Sequence, residues 1–223
     1  MVEIISYTVL AALCWFGGWK FSLCVFKKKE VELSKKTKII IEIASALILE
    51  AMAVVMALLL VKTGTLSYFE GLRSELVLCA LLFAGLIDFK LMIIPNKLTL
   101  ALLAAVVVAY AVELIISQKY IIQILTDALL GCAVCFVIFF IGKMISRKGM
   151  GMGDIKLAAV MGLALGLNTA LGCLLWAMIA ASLTGVVLLI SKKLKAKSKM
   201  AMAPFFFAGT VIGHIVLSLG GTV

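Results

Sequence analysis

The second half of this chain is divided by one glycine-rich stretch, Lys148-Gly149-Met150-Gly151-Met152-Gly153-Asp154-Ile155-Lys156-Leu157. Three glycines precede a carboxylate there, and apolar runs lie on both sides. Glycine allows backbone conformations that other residues avoid, and it permits close approach by a neighbouring chain. We expect Asp154 to lie in the first turn of a new helix, where the helix dipole favours an ionised carboxylate. An acid at the end of a membrane helix is a functional candidate, and simple N-terminal capping is the alternative.

The composition is that of an integral membrane protein. Of 223 residues, 65% are hydrophobic and 14% are charged, and the mean hydropathy is +1.24. A soluble domain is about half apolar and a quarter charged. Long apolar runs with only two prolines predict an all-α, polytopic helix bundle over one domain, residues 1–223. The net charge of +10 indicates contact with anionic lipids rather than with nucleic acid.

Eight apolar runs approach the length of about 20 residues that spans a bilayer. They are residues 4–26, 38–61, 74–93, 97–117, 120–142, 154–167, 169–191 and 203–221. Alternate loops, at 27–38, 90–97, 143–156 and 192–199, contain 17 of the 21 basic residues. Because basic loops stay in the cytoplasm, this pattern predicts an outer N-terminus and places Lys62, Arg73 and Lys119 in outer loops.

Two aspartates are expected at the same cytoplasmic edge of the membrane. Asp88 closes the third apolar run, and Asp154 opens the sixth. Such a pair can share one proton, so that one carboxylate activates water while the other donates a hydrogen bond to a scissile carbonyl. Helix-end electrostatics alone predicts that Asp154 is the base and Asp88 the proton donor. The alternative is that both are ordinary caps or interface residues.

Two motifs around these aspartates resemble those of the type IV prepilin peptidases. Leu86-Ile87-Asp88-Phe89-Lys90-Leu91-Met92-Ile93-Ile94-Pro95-Asn96 has Pro and Asn at the family's offsets from Asp88. The second match is Gly-x-Gly-Asp at Gly151, Gly153 and Asp154. A weaker third match is Ala203-Pro204-Phe205-Phe206-Phe207-Ala208-Gly209, which lacks the glycine usual inside that stretch. The resemblance covers residues 74–210.

The resemblance implies an aspartic endopeptidase in the bacterial cytoplasmic (inner) membrane. Its substrate would be a prepilin or pseudopilin with an apolar helix and a short basic leader, cut after a glycine at the cytoplasmic face. Asp88 and Asp154 would be the catalytic pair, and Gly151 and Gly153 would give their loop its freedom. Pro95 and Asn96 would shape the turn after Asp88, and Lys156 completes the second motif. This hydrolysis requires no metal or cofactor.

The chain departs from many family members in the loop at 27–38. Those members carry a zinc-binding module with Cys-x-x-Cys pairs there, together with N-methyltransferase activity, whereas this loop has no cysteine. All six cysteines lie in apolar runs, including the pair Cys132 and Cys135. Structural zinc normally takes four Cys or His ligands. We therefore expect the short, protease-only form without zinc.

Other polar residues in the apolar runs keep alternatives open. A proton- or cation-coupled transporter could use Glu42, Glu50 and Asp127 as a charge pathway. A structural hydrogen bond is the simpler role for Asp127, and packing is the simpler role for His214. A presenilin-like protease is the other alternative, but Ile87 precedes Asp88 where those proteins have tyrosine.

Overall fold

The computed structural model describes residues 2–29, 35–63, 68–116, 121–146, 151–191 and 200–219. These residues form eight α-helices and no strand, which confirms the predicted all-α class. The helices are α1 (Val2–Lys28), α2 (Lys35–Thr63), α3 (Tyr68–Leu91), α4 (Asn96–Ile116), α5 (Ile121–Ser146), α6 (Met152–Leu165), α7 (Leu167–Ile190) and α8 (Ala203–Leu219).

Within the described ranges, four helices are long and apolar enough to cross a membrane by themselves. They are α1 from Thr8, α4, α5 from Ile122, and α7, and most of α8 forms a shorter apolar helix. Each predicted run coincides with one helix, but α3 begins earlier than the predicted 74. Arg73, which we placed in an outer loop, therefore lies inside α3. Lys62, from the same prediction, lies in the last turn of α2, and Lys119 is outside the described residues.

Helices α3 and α6 form the interior of the bundle. Helix α3 is buried over most of its length and packs against α1, α2, α4, α6 and α8. The short α6 packs chiefly against α5, where the backbones approach so closely that a Cβ added to Gly162 would lie 2.3 Å from the Gly131 oxygen. Only glycine fits such a contact. This packing holds α6 directly against α5, while α6 also contacts α3.

A buried polar network holds the end of α6 that is remote from Asp154. Arg73 forms an ion pair with Glu113, and its Nε donates a hydrogen bond of 3.1 Å to the Ala164 carbonyl. The Tyr110 hydroxyl donates to the Leu163 carbonyl at 2.8 Å, and Arg73 lies over the Tyr110 ring. A cation at the C-terminus of a helix complements its dipole. The network therefore ties α3 and α4 to the last turn of α6.

Candidate active site

Asp88 lies in the last turn of α3, with 5% of the residue exposed. Its Oδ2 accepts a hydrogen bond of 3.2 Å from the backbone N–H of Ala203, the first residue of α8. Burial raises the pKa of Asp88, and the backbone N–H groups of Ala203 and Met202 oppose that rise because they favour the ionised carboxylate. Asp88 thus ends one helix and faces the start of another.

The turn after Asp88 is short and fixed by local bonds. Met92 adopts a left-handed conformation (φ 51°), and its N–H donates to the Asp88 carbonyl at 2.8 Å. Pro95 keeps Ile94 out of the helical region, so the chain stays extended before α4. The Pro95 carbonyl then accepts the Leu98 N–H at 3.0 Å and starts α4. Pro95 therefore lies at the junction between this turn and the first hydrogen bonds of α4.

Asp154 is the third residue of α6, and Gly151 is the N-cap. Its Oδ2 accepts a hydrogen bond of 3.1 Å from the Gly151 N–H. This contact resembles half of a capping box, so Asp154 does help to close the helix end. The residue is 8% exposed, and burial together with the charge of Asp88 raises the pKa of Asp154 to about 6. The two carboxyl groups therefore interact electrostatically at one end of the bundle.

The motif glycines serve close approach rather than backbone freedom. Gly151 has φ −75° and ψ 152°, which any residue can adopt. A Cβ added to Gly153 would lie 2.9 Å from the Cβ of Ile94, in the turn after Asp88. We expected the glycines to give this loop conformational freedom. Instead, Gly153 must be small because the start of α6 lies against the turn that follows α3.

Asn96 and Lys156 make a second connection between the two motifs. The Lys156 Nζ donates a hydrogen bond of 3.2 Å to the Asn96 Oδ1, and both side chains are exposed. This bond joins the first turn of α4 to the first turns of α6. The side chain of Asn96 therefore links the helices, while Pro95 forms the turn.

Residues 76–190 match the type IV leader peptidase family, which is just over half of the chain. The chain belongs to this family. It is 25% identical over 135 residues to the "Prepilin leader peptidase/N-methyltransferase" of Bacillus subtilis (strain 168). That match covers 60% of this chain and 52% of the relative, so the chain matches about half of the relative's length. No solved structure matches it.

The chain belongs to a peptidase family, and the structure gives a structural role to Asp127, one of the three acids of the transporter alternative. Asp127 Oδ1 accepts the Leu167 N–H at 3.2 Å and so caps α7, as the predicted structural hydrogen bond requires. This contact lies at the end of α6 away from Asp154. Glu42 and Glu50 are half-buried in α2.

His214 is a buried packing residue, as predicted. Its Nδ1 and Nε2 lie 2.8 Å from the Thr210 carbonyl oxygen and 3.0 Å from the Ser74 Oγ. Across the described ranges, His, Cys, Asp and Glu form no group of three or more that could hold a metal.

Three polar groups were not identified from the sequence: the buried carboxylates of Glu75 and Glu113, and the Ala203 N–H that contacts Asp88. Glu75 is fully buried, and its carboxylate oxygens have no hydrogen-bond partner among the described residues. The predicted third run began at residue 74, so it included Glu75 without assigning it a role and left Arg73 in the loop before it. Lys148, Gly149 and Met150 of the glycine-rich stretch lie outside the described residues.

Along the chain, Asp154 lies at a helix N-terminus and Asp88 at a helix C-terminus. In the fold, the N-terminus of α8 also faces Asp88, and its N–H groups favour the ionised form of that carboxylate. Because Asp154 likewise accepts the Gly151 N–H at the start of α6, both carboxylates face a helix N-terminus, and helix-end electrostatics alone does not separate their ionisation.

Proposed function

We propose that this protein is an aspartic endopeptidase that removes the short basic leader of type IV prepilins or pseudopilins after a glycine. The observation that carries the proposal is the buried pair of Asp88 and Asp154, interacting at one end of the bundle in a chain of the type IV leader peptidase family. The basic loops at this end support a position at the cytoplasmic face of the cytoplasmic membrane.

In this proposal the two carboxyl groups have different tasks. Ionised Asp88, held by the Ala203 N–H, accepts a proton from the attacking water. Protonated Asp154 donates a hydrogen bond to the scissile carbonyl oxygen and gives up its proton as the tetrahedral intermediate forms. The proton on Asp88 then passes to the leaving amine, and the peptide C–N bond breaks. As it breaks, one hydroxyl of the tetrahedral intermediate returns its proton to Asp154, so the pair again holds one shared proton.

The test is cleavage of a prepilin with a glycine-ended basic leader, in membranes that contain the intact protein or its variants. We expect Asp88→Asn and Asp154→Asn each to reduce cleavage by about 10²–10⁴-fold, the usual contribution of a positioned acid or base. Asp127→Asn is the matched control because it changes an acid that caps α7 at the other end of α6. Normal cleavage by either active-site variant would refute the shared-proton mechanism.

A further inference from the structure

An apolar cavity of about 330 Å³ lies where α1 and α3 end and α4 begins. Its walls come from the last turns of α1 and α3 and from the turn after Asp88. The apolar lining consists of Phe21, Val25, Ile87, Leu91, Ile93 and Pro95. This volume lies in the range of small-ligand sites, roughly 300–1,000 Å³. The apolar walls suit a hydrocarbon chain.

Three lysines line the same cavity: Lys28 and Lys29 at the end of α1, and Lys97 in the first turn of α4. All three side chains are exposed, and the described lining contains no carboxylate to neutralise them. The apolar span of α1 ends at Lys28, and that of α4 begins at Asn96. The lysines therefore lie at the membrane boundary, where lipid headgroups lie.

We propose that this cavity binds an anionic phospholipid, with its phosphate between Lys28, Lys29 and Lys97 and one acyl chain along the apolar wall. Basic pockets between membrane helices bind anionic headgroups in this way. A zwitterionic lipid such as phosphatidylcholine has a phosphate, but its own choline ammonium cancels that charge, so it offers the three lysines no net negative charge. A free phosphate would leave the apolar wall uncovered.

Cys24 provides a direct measurement because it lines the cavity and is exposed. The protein in neutral detergent is treated with a maleimide, and modification of Cys24 is followed by mass spectrometry. Phosphatidylglycerol at ten times its dissociation constant should slow the reaction about tenfold. Phosphatidylcholine and inorganic phosphate should leave the rate unchanged. Cys132 on α5 is the internal control, since it lies outside the cavity lining.

A charge variant tests the role of the lysines. Lys28→Gln/Lys29→Gln/Lys97→Gln should weaken protection by phosphatidylglycerol on the order of a hundredfold, because each lysine contributes roughly fivefold. Lys97→Gln alone should weaken it about fivefold, which covers the case in which the triple variant folds poorly. Lys36→Gln/Lys38→Gln/Lys143→Gln is the matched control, since it removes the same charge away from the cavity.

Three outcomes would overturn this site: equal protection by phosphatidylcholine, protection by inorganic phosphate alone, or full protection in the triple variant.

A consequence for activity rests on the proposed function. A basic leader approaching this basic face would need a counter-charge, so cleavage in phosphatidylcholine vesicles should rise when phosphatidylglycerol is added, except in the triple variant. Absence of cleavage in every lipid would contradict the proposed function, whereas Cys24 protection decides the lipid site independently.

Discussion

Replacement of Asp154 by asparagine should stabilise the folded protein at neutral and alkaline pH. Burial and the charge of Asp88 raise the pKa of Asp154 from 3.8 to about 6. An acid whose pKa is higher in the folded state favours folding below its unfolded pKa, and that contribution is lost as the pH rises through the folded pKa. Asparagine cannot ionise, and its oxygen can still accept the Gly151 N–H.

The size of the effect follows from the two pKa values. Moving a pKa from 3.8 to about 6 corresponds to about 2–3 kcal/mol of lost stability above pH 7, with little solvent screening because Asp154 is 8% exposed. For a chain of this size that is roughly 5–10 °C in denaturation temperature. Asp154→Asn should therefore be more stable than the unmodified protein at pH 8, and the difference should vanish towards pH 4.

The assay is thermal denaturation in neutral detergent, followed by intrinsic fluorescence across this pH range. Asp127→Asn is the control for general removal of a negative charge, and we expect no stabilisation from it because that carboxylate caps α7. Lower stability of Asp154→Asn at pH 8, or a gain that grows towards acid pH, would refute the reasoning that Asp154 is held in an unfavourable charged state.

Three further variants test the packing around the pair. Gly153→Ala should reduce prepilin cleavage at least tenfold, because its Cβ would lie 2.9 Å from that of Ile94 and such overpacking costs about 1–3 kcal/mol. Arg73→Met should destabilise the fold by about 3–5 kcal/mol in detergent denaturation, since it leaves Glu113 buried without its partner. Asp127→Ala should cost about 1 kcal/mol through loss of the α7 cap, with cleavage unchanged.

Each of these predictions has its own control. Gly172→Ala should be nearly neutral, because the nearest atom to its Cβ would be 3.9 Å away, on Leu217. Equal losses of cleavage for Gly153→Ala and Gly172→Ala would contradict the close-packing argument. The double variant Arg73→Met/Glu113→Leu should recover most of the stability, and equal instability of the single and double variants would show that the ion pair is not the cause. Loss of cleavage in Asp127→Ala would place this residue in the catalytic machinery.

The helices were predictable from the sequence because long apolar runs determine them locally. The positions of Asp88 and Asp154 at helix ends followed from the same pattern. The start of α3 was not predictable, since charged residues at a membrane boundary resemble a loop unless their partners are known. Arg73 pairs with Glu113, 40 positions away in the sequence, and donates a hydrogen bond to the Ala164 carbonyl, 91 positions away. No local sequence pattern indicates either contact.

The sequence by itself determined the helical class, the order of the apolar helices and the presence of one aspartate in each motif. Only the tertiary structure decided that the start of α8 faces Asp88, 115 positions away, and that Gly153 must be small because Ile94 lies against it. The physical reason is that hydropathy depends on each segment alone, whereas carboxyl ionisation depends on neighbouring dipoles and charges. Those neighbours come together only when the helices pack.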